Sequence, residues 1–162
     1  MIELIILDID GCMTDGKIIY TSSGEEIKEF DVKDGAAIEA WLKLGKKIAI
    51  ITGRNSKCVE LRAKALKIDL LYQGVKDKLA CAKEILADLR LEFSQVAAIG
   101  DYYNDLKLLD AVGLSFKPND AHEALKVDFT LNQNGGKAAV AAMIEKIIDI
   151  NNMQEEWNKL WL

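Results

Sequence analysis

Residues 8–16, Asp-Ile-Asp-Gly-Cys-Met-Thr-Asp-Gly, set three carboxylates and two glycines directly behind a run of isoleucine and leucine. In an extended segment, side chains two residues apart share a direction, so Asp8 and Asp10 are expected to project together from the end of a strand. Gly11 then lets the backbone turn tightly enough to bring peptide groups near a ligand. Carboxylates this close repel each other unless a cation or a proton intervenes. The same pattern can also do no more than cap a turn, so its weight depends on what stands at the other strand ends.

Three further segments end in groups of complementary chemistry. Residues 46–54, KKIAIITGR, close on Thr52, Gly53 and Arg54, a hydroxyl and a positive charge that would otherwise read as an ordinary helix N-cap. Residues 72–78, YQGVKDK, offer Lys76 and Lys78 where a helix should begin. Ammonium groups there oppose the helix dipole, which an anionic ligand would explain and simple solvation would tolerate. Residues 95–105, QVAAIGDYYND, end in Asp101, Asn104 and Asp105, acids that are commonplace at a helix start. Each segment alone is weak. Taken together at one sheet edge they form a kit for phosphoryl transfer through a carboxylate nucleophile. An aspartate can attack phosphorus only when a divalent cation screens it, and hard oxygen ligands hold Mg²⁺ best. A hydroxyl and an ammonium group would stabilise the oxygens of the transferred group.

The elements that must position these groups follow from periodicity. Strands are expected near 4–9, 47–51, 70–72, 96–99 and 113–116, with a weaker one at 127–130. Helices are expected at 35–44, 57–66, 76–89, 104–109, 121–125 and 137–148. This alternation predicts an α/β fold with a Rossmann-like, mostly parallel sheet, helices on both faces, and chemistry at the carboxyl ends of the strands. One segment departs from it. In residues 16–32, two β-prone runs flank Ser-Ser-Gly-Glu, which reads as an inserted β-hairpin, either a surface decoration or a flap over the site.

Composition bounds the rest. The 162 residues, half of them hydrophobic, suit one domain spanning 1–162. A formal net charge of −5 with scattered lysines argues against nucleic acid as a partner. Cys12, Cys58 and Cys81 show no CxxC spacing, so neither a disulfide framework nor a zinc site is indicated, and reduced thiols in a cytoplasm are expected. The first apolar run is too short for a signal peptide and no apolar stretch is long enough for a membrane span, so no membrane association is expected.

The ordered set DIDGCMTDG, ITGR, GVKDK and GDYYND resembles the haloacid dehalogenase superfamily of phosphatases. Across nearly the whole chain, the phrases DGKIIYTSSGEEIKEFDVKDG, LYQGVKDK and NGGKAAV resemble the subgroup that acts on 3-deoxy-D-manno-octulosonate 8-phosphate in lipopolysaccharide precursor synthesis. That resemblance implies Asp8 as the nucleophile forming an aspartyl-phosphate, and Asp10 as general acid and then base. It implies Mg²⁺ held by Asp8, the Asp10 backbone carbonyl and Asp101, and a phosphate bound by Thr52 and Lys78, with Gly53 and Arg54 beside them. Asn104 and Asp105 would make metal-water or lysine-orienting contacts. Tyr102 stands where the subgroup often has a further acid. The gaps from Asp15 to Thr52 and from Gly53 to Lys78 leave no room for a cap domain. The subgroup closes such an open site by forming a homotetramer in which hairpins reach toward neighbouring sites, and Ile18, Ile19, Tyr20 and Phe30 suit that pairing.

Other readings remain open at this stage. A phosphatase for a nine-carbon sugar acid phosphate would use the same motifs. A receiver-type phospho-acceptor shares the aspartate, hydroxyl, lysine and Mg²⁺ but lacks a catalytic acid at the position of Asp10, and an inactive scaffold is disfavoured by an intact motif set. His122 reads as a surface or helix-capping residue and Cys12 as apolar packing. Met153, Trp157, Leu160 and Trp161 fall at helical spacing and read as a face packed on the domain. Gly135, Gly136 and Lys137 are placed to approach a substrate.

Overall fold

The computed structural model describes residues 1–162. Its main sheet has six parallel strands: β1 (Leu4–Leu7), β4 (Lys47–Ile51), β5 (Leu70–Tyr72), β6 (Val96–Ile99), β7 (Leu114–Lys117) and β8 (Phe129–Thr130), in the order β5-β4-β1-β6-β7-β8. A separate antiparallel hairpin pairs β2 (Ile19–Tyr20) with β3 (Glu26–Ile27), and Gly24 at φ +88° supplies the left-handed residue that its tight turn requires. The helices are α1 (Val32–Lys43), α2 (Lys57–Ala65), α3 (Lys78–Leu89), α4 (Leu106–Ala111), α5 (Ala139–Ile150) and α6 (Gln154–Lys159). None of them is long and apolar enough to cross a membrane.

Alternation along the strands divides the core in two. Ile5 and Leu7 of β1, Ile48 and Ile50 of β4 and Ala97 and Ile99 of β6 face a cluster completed by α1, α2 and α5. Leu4 and Ile6, Ala49 and Ile51, and Val96 and Ala98 face the opposite cluster with α3 and α4. Both faces are covered, so the strands carry continuous apolar runs rather than an apolar and polar alternation. Strand order runs outward from β1 in both directions. The carboxyl end of β1, between β4 and β6, is therefore a topological switch point, where open α/β sheets gather their ligands.

Several expected boundaries shift, each for a local reason. β1 stops at Leu7, because the backbone turns through Ile9–Met13 with Gly11 at φ +90° and the Thr14 N–H reaching the Ile9 carbonyl at 3.0 Å. α1 begins earlier than expected, capped by the Asp31 carboxylate on the Lys33 N–H at 2.8 Å. α3 begins at Lys78 rather than residue 76, because Asp77 takes the cap position and accepts from the Ala80 N–H. The helix expected at 121–125 is absent. Its residues form turns in which the His122 Nδ1 accepts the Ala124 N–H at 3.1 Å, the local competition that turns polar side chains against helices. Phe30, expected in hairpin pairing, packs instead on the main core under the Arg62 guanidinium.

α5 reaches the site through its N-terminal lead. Gly135 and Gly136 lie so close to residues 11–15 that a Cβ on Gly135 would stand 2.0 Å from the Gly11 carbonyl oxygen, and one on Gly136 would stand 2.6 Å from the Asp15 nitrogen. The first turn of α5 is held by a residue of α1: Asp34, 1% exposed, accepts the Ala141 N–H at 2.8 Å while its other oxygen has no partner. Burial, resisted by the Ala141 N–H, pushes the Asp34 carboxyl up to about 6 from 3.8. The folded chain therefore holds this proton more tightly than the unfolded chain, and stability contributed here is present at low pH and falls as pH rises through about 6. The difference amounts to roughly 3 kcal/mol. Between about pH 4 and pH 7, wild type should lose up to that much stability relative to Asp34→Asn, measured by urea unfolding at each pH.

Candidate active site

The ends of β1 and β6 and the start of α3 converge on one buried ammonium. The Lys78 Nζ lies 2.7 Å from Asp8 Oδ1 and 2.6 Å from Asp105 Oδ1, and all three side chains are 7% exposed or less. Burial opposes the charge on Lys78, but Asp8 and Asp105 outweigh it and hold the ammonium above the ordinary lysine range. Asp105 has a second task. Its Oδ2 accepts the N–H groups of Asp101 at 3.0 Å and Tyr102 at 3.3 Å, which folds the acidic loop after β6 back on itself. Gly100 permits this, since a Cβ there would lie 2.5 Å from the Asp105 Cβ.

Asp101 faces the β1 loop, where its Oδ2 fills the space a Cβ on Gly11 would take, 2.0 Å away. Carboxylate oxygens of Asp8 and Asp101 and the Cys12 sulfur lie within 4.8 Å of one another. Asp8 is pushed up to about 7, first by burial and further by Asp105 and Asp101, with Lys78 opposing; burial and then Asp105 push Asp101 up to about 6. Three carboxylates thus share one ammonium, and the excess negative charge is what a hard divalent cation would neutralise. The Asp8 and Asp101 carboxylates supply the hard oxygen ligands that Mg²⁺ takes. Cys12 is fully buried with its thiol pushed well above the usual range, foremost by burial, which keeps it protonated and apolar.

Asp10 reaches the same edge but takes different partners. Its Oδ1 pairs with Lys28 and its Oδ2 lies 3.9 Å from the Arg54 Nε. Arg54 in turn lies 3.4 Å from the Glu26 carboxylate and 3.4 Å from the Tyr20 hydroxyl, so the hairpin stands at the rim of its own site. Thr52 is buried at the end of β4, where its backbone bonds Tyr72 and Val75, while Gly53 and Arg54 are exposed. Asn104 is exposed and no hydrogen bond joins it to the Lys78 cluster. It borders, with Lys76, Lys78 and Tyr103, a cavity of about 200 Å³. A cavity of about 350 Å³ between α1, α5 and Trp157 shares no residue with the carboxylates.

Comparison with known proteins places the chain in a family. A family model described as haloacid dehalogenase-like hydrolase matches residues 71–144. The chain is 42% identical over 149 residues to the 3-deoxy-D-manno-octulosonate 8-phosphate phosphatase KdsC of Yersinia pestis, covering 91% of this chain and 80% of that protein. The chain belongs to the haloacid dehalogenase-like phosphatases. Among solved structures, the phosphatase of Moraxella catarrhalis in complex with magnesium ion, phosphate ion and KDO superposes with a TM-score of 0.95 at 36% identity, over 99% of this chain and 94% of that one. A cobalt-bound phosphatase from Haemophilus influenzae gives 0.87 at 34% identity, over 91% and 88%.

Within this haloacid dehalogenase-like phosphatase, sequence reasoning missed Lys28 and the reach of the Gly135–Gly136 pair onto the β1 loop. Lys28 lies in a hairpin read mainly for its apolar residues, and only the acid-base alternation Glu25, Glu26, Lys28, Glu29 hinted at a buried ion pair. His122 proves more embedded than a surface cap. Its N–H donates to the Asp101 carbonyl at 2.9 Å, and its ring packs against Tyr103 at 4.6 Å and Tyr102 at 5.3 Å between centroids. Lys137 is exposed. The tail is anchored by Met153 and Trp157, whereas Trp161 is 53% exposed.

The buried triad makes a direct test of stability. Lys78→Met removes the only cation between Asp8 and Asp105, and leaving such a pair uncompensated costs about 3–5 kcal/mol. Urea unfolding should register that loss. Adding Asp105→Asn should recover part of it, because one of the two facing charges is then gone.

Proposed function

We propose that this phosphatase hydrolyses 3-deoxy-D-manno-octulosonate 8-phosphate with Mg²⁺ as its cofactor, acting in the cytoplasm as one domain. The observation that carries the reading is the meeting of Asp8, Lys78, Asp101 and Asp105 at the ends of β1 and β6 and the start of α3, in a chain 42% identical to a phosphatase of that name. A relative whose solved structure is described as holding magnesium, phosphate and KDO supports both the cofactor and the sugar.

The chain's own residues account for the chemistry. An Asp8 carboxylate oxygen attacks phosphorus, the bond from phosphorus to the sugar oxygen breaks, and Asp10 gives that oxygen its proton. Water then attacks the phosphorylated Asp8, Asp10 takes the proton, and the Asp8 carboxylate leaves as phosphate departs. Lys78 and Thr52 hold phosphoryl oxygens, Arg54 adds positive charge at the rim, and Asp105 keeps Lys78 aimed at Asp8. Mg²⁺, held by Asp8, Asp101 and the Asp10 carbonyl, would supply charge neutralisation between nucleophile and phosphate.

Asp8→Asn should remove nearly all turnover while circular dichroism stays that of wild type, and chelation of Mg²⁺ should abolish activity reversibly. Asp10→Asn should slow turnover by about 10² to 10⁴. Over a panel of sugar phosphates, kcat/KM should favour the eight-carbon acid by at least about tenfold, or ~1.4 kcal/mol. A preference for a nine-carbon acid phosphate would move the assignment to that substrate, and equal rates on hexose phosphates would remove both.

We further propose a homotetramer built through the hairpin, whose Ile18, Ile19, Tyr20 and Ile27 are 41%, 37%, 61% and 45% exposed and present an uncovered apolar surface. Light scattering should give a tetramer for wild type and a smaller species for Ile19→Lys/Ile27→Lys. A tetramer that survives both charges would assign the contact elsewhere.

A further inference from the structure

Lysine is among the residues least often buried, because its charge loses solvation that only close partners restore. The chain nevertheless buries one lysine outright and encloses the side chain of a second, half-buried one. Lys78 belongs to the nucleophile's cluster; the other, Lys28, follows β3 at the base of the hairpin with its side chain 1% exposed. Its ammonium meets Asp10 Oδ1 and lies 3.3 Å from Glu26 Oε1. Glu26 also lies 3.4 Å from the Arg54 Nη2, and the Arg54 Nε lies 3.9 Å from Asp10 Oδ2. The hairpin base is itself fixed, since the Cys58 thiol of α2 donates to the Glu26 carbonyl.

Asp10, Glu26, Lys28 and Arg54 thus form a closed network of two negative and two positive groups. Each oxygen of Asp10 faces one cation, so the carboxylate is oriented from both sides. The two cations differ in rigidity. Arg54 is 45% exposed and free to follow a ligand, whereas Lys28 is enclosed. Lys28 is therefore the fixed point of the network.

We propose that Lys28 is a positioning residue that holds the Asp10 carboxylate where it takes the proton of the water attacking phosphorylated Asp8. The inference rests on the phosphatase reading above. It makes the two halves of the reaction unequal in their need for Lys28. In the second half, Asp10 must be an oriented carboxylate while water attacks phosphorus, its proton passes to Asp10, and the bond from phosphorus to the Asp8 oxygen breaks. In the first half, a leaving group that departs as a stable anion needs no proton from Asp10.

4-Nitrophenyl phosphate separates the two halves. Mixed rapidly with the Mg²⁺-loaded enzyme, Lys28→Ala should release one equivalent of 4-nitrophenolate per site at close to the wild-type rate, then turn over at least about tenfold more slowly than wild type. Intact-protein mass should show a phosphate adduct during that slow phase. Lys28→Arg, which restores a cation, should recover most of the steady-state rate. Lys28→Met keeps the buried stem and should repeat the Ala pattern even where Ala lowers the unfolding temperature. If burst and steady state slow by the same factor in both Ala and Met variants, or neither changes, Lys28 has no positioning role. The phosphatase reading is judged in the same run by wild type and Asp8→Asn: a silent wild type, or an Asp8→Asn protein that still turns over, removes that reading and this inference with it.

Discussion

The bridge from Lys78 to Asp8 and Asp105 is the constraint on which the rest of the structure depends. It joins the end of β1, the first residue of α3 and the loop beyond β6, three places far apart in sequence, at heavy-atom distances of 2.7 and 2.6 Å. An ammonium at the N-terminus of a helix works against the helix dipole, and burial adds a desolvation cost. Both are offset only because two carboxylates face it. The bridge therefore fixes the relative positions of β1, β6 and α3 more tightly than apolar packing, which is non-directional, could do alone. Its geometry also restrains Asp8, the nucleophile proposed above, because one of its oxygens is committed to Lys78.

Around that bridge the backbone comes into contact where side chains would not fit. Gly11, Gly100 and Gly135 each stand where a Cβ would lie within 2.5 Å of another atom of the site. These glycines do not mark flexibility; they let the acidic loop and the lead into α5 close on the β1 turn. Asp34 extends the same construction outward, tying α1 to the first turn of α5 at the cost of a carboxylate oxygen with no partner. The contact joins two helices whose facing surfaces, rich in Ala, Ile and Val, carry no directional constraint of their own.

Much of this was legible in the sequence. Strand periodicity placed β4, β5 and β6 at the observed residues, because parallel strands covered on both faces carry apolar runs bounded by glycine or charge. Asp8, Lys78, Asp101 and Asp105 were legible as strand-end groups, and the fold brings these four into one cluster. What escaped was whatever depended on partners from elsewhere in the chain. The segment 121–125 has helical composition, yet the His122 ring claims the Ala124 N–H and sits against two tyrosines. Asn104 follows the acidic motif closely enough to look like part of the cluster, but the turn at Tyr103–Asp105 directs Asp105 inward and leaves Asn104 exposed. Lys28 looked like one charge among several in a polar hairpin, and only the folded path of the hairpin carries it to Asp10.

Two aspartates two residues apart come to occupy opposite electrostatic situations, and this division follows from which elements face each one. Asp8 looks toward α3 and the β6 loop, where Asp8 and Asp105 hold a single ammonium, Asp101 stands close to Asp8, and the balance is negative. Asp10 looks toward the hairpin and the end of β4, where Lys28 and Arg54 balance it and Glu26. The first environment calls for a cation before it can meet a phosphate. The second is complete without one. Paired carboxylates with different environments can take different roles in one reaction. Here the split is built by topology, because the turn at Gly11 separates the partners of Asp8 from those of Asp10 while keeping both at one strand end. The hairpin then serves chemistry as well as shape: inserted between β1 and α1, it is the only element that begins at the β1 loop and can return a lysine to it.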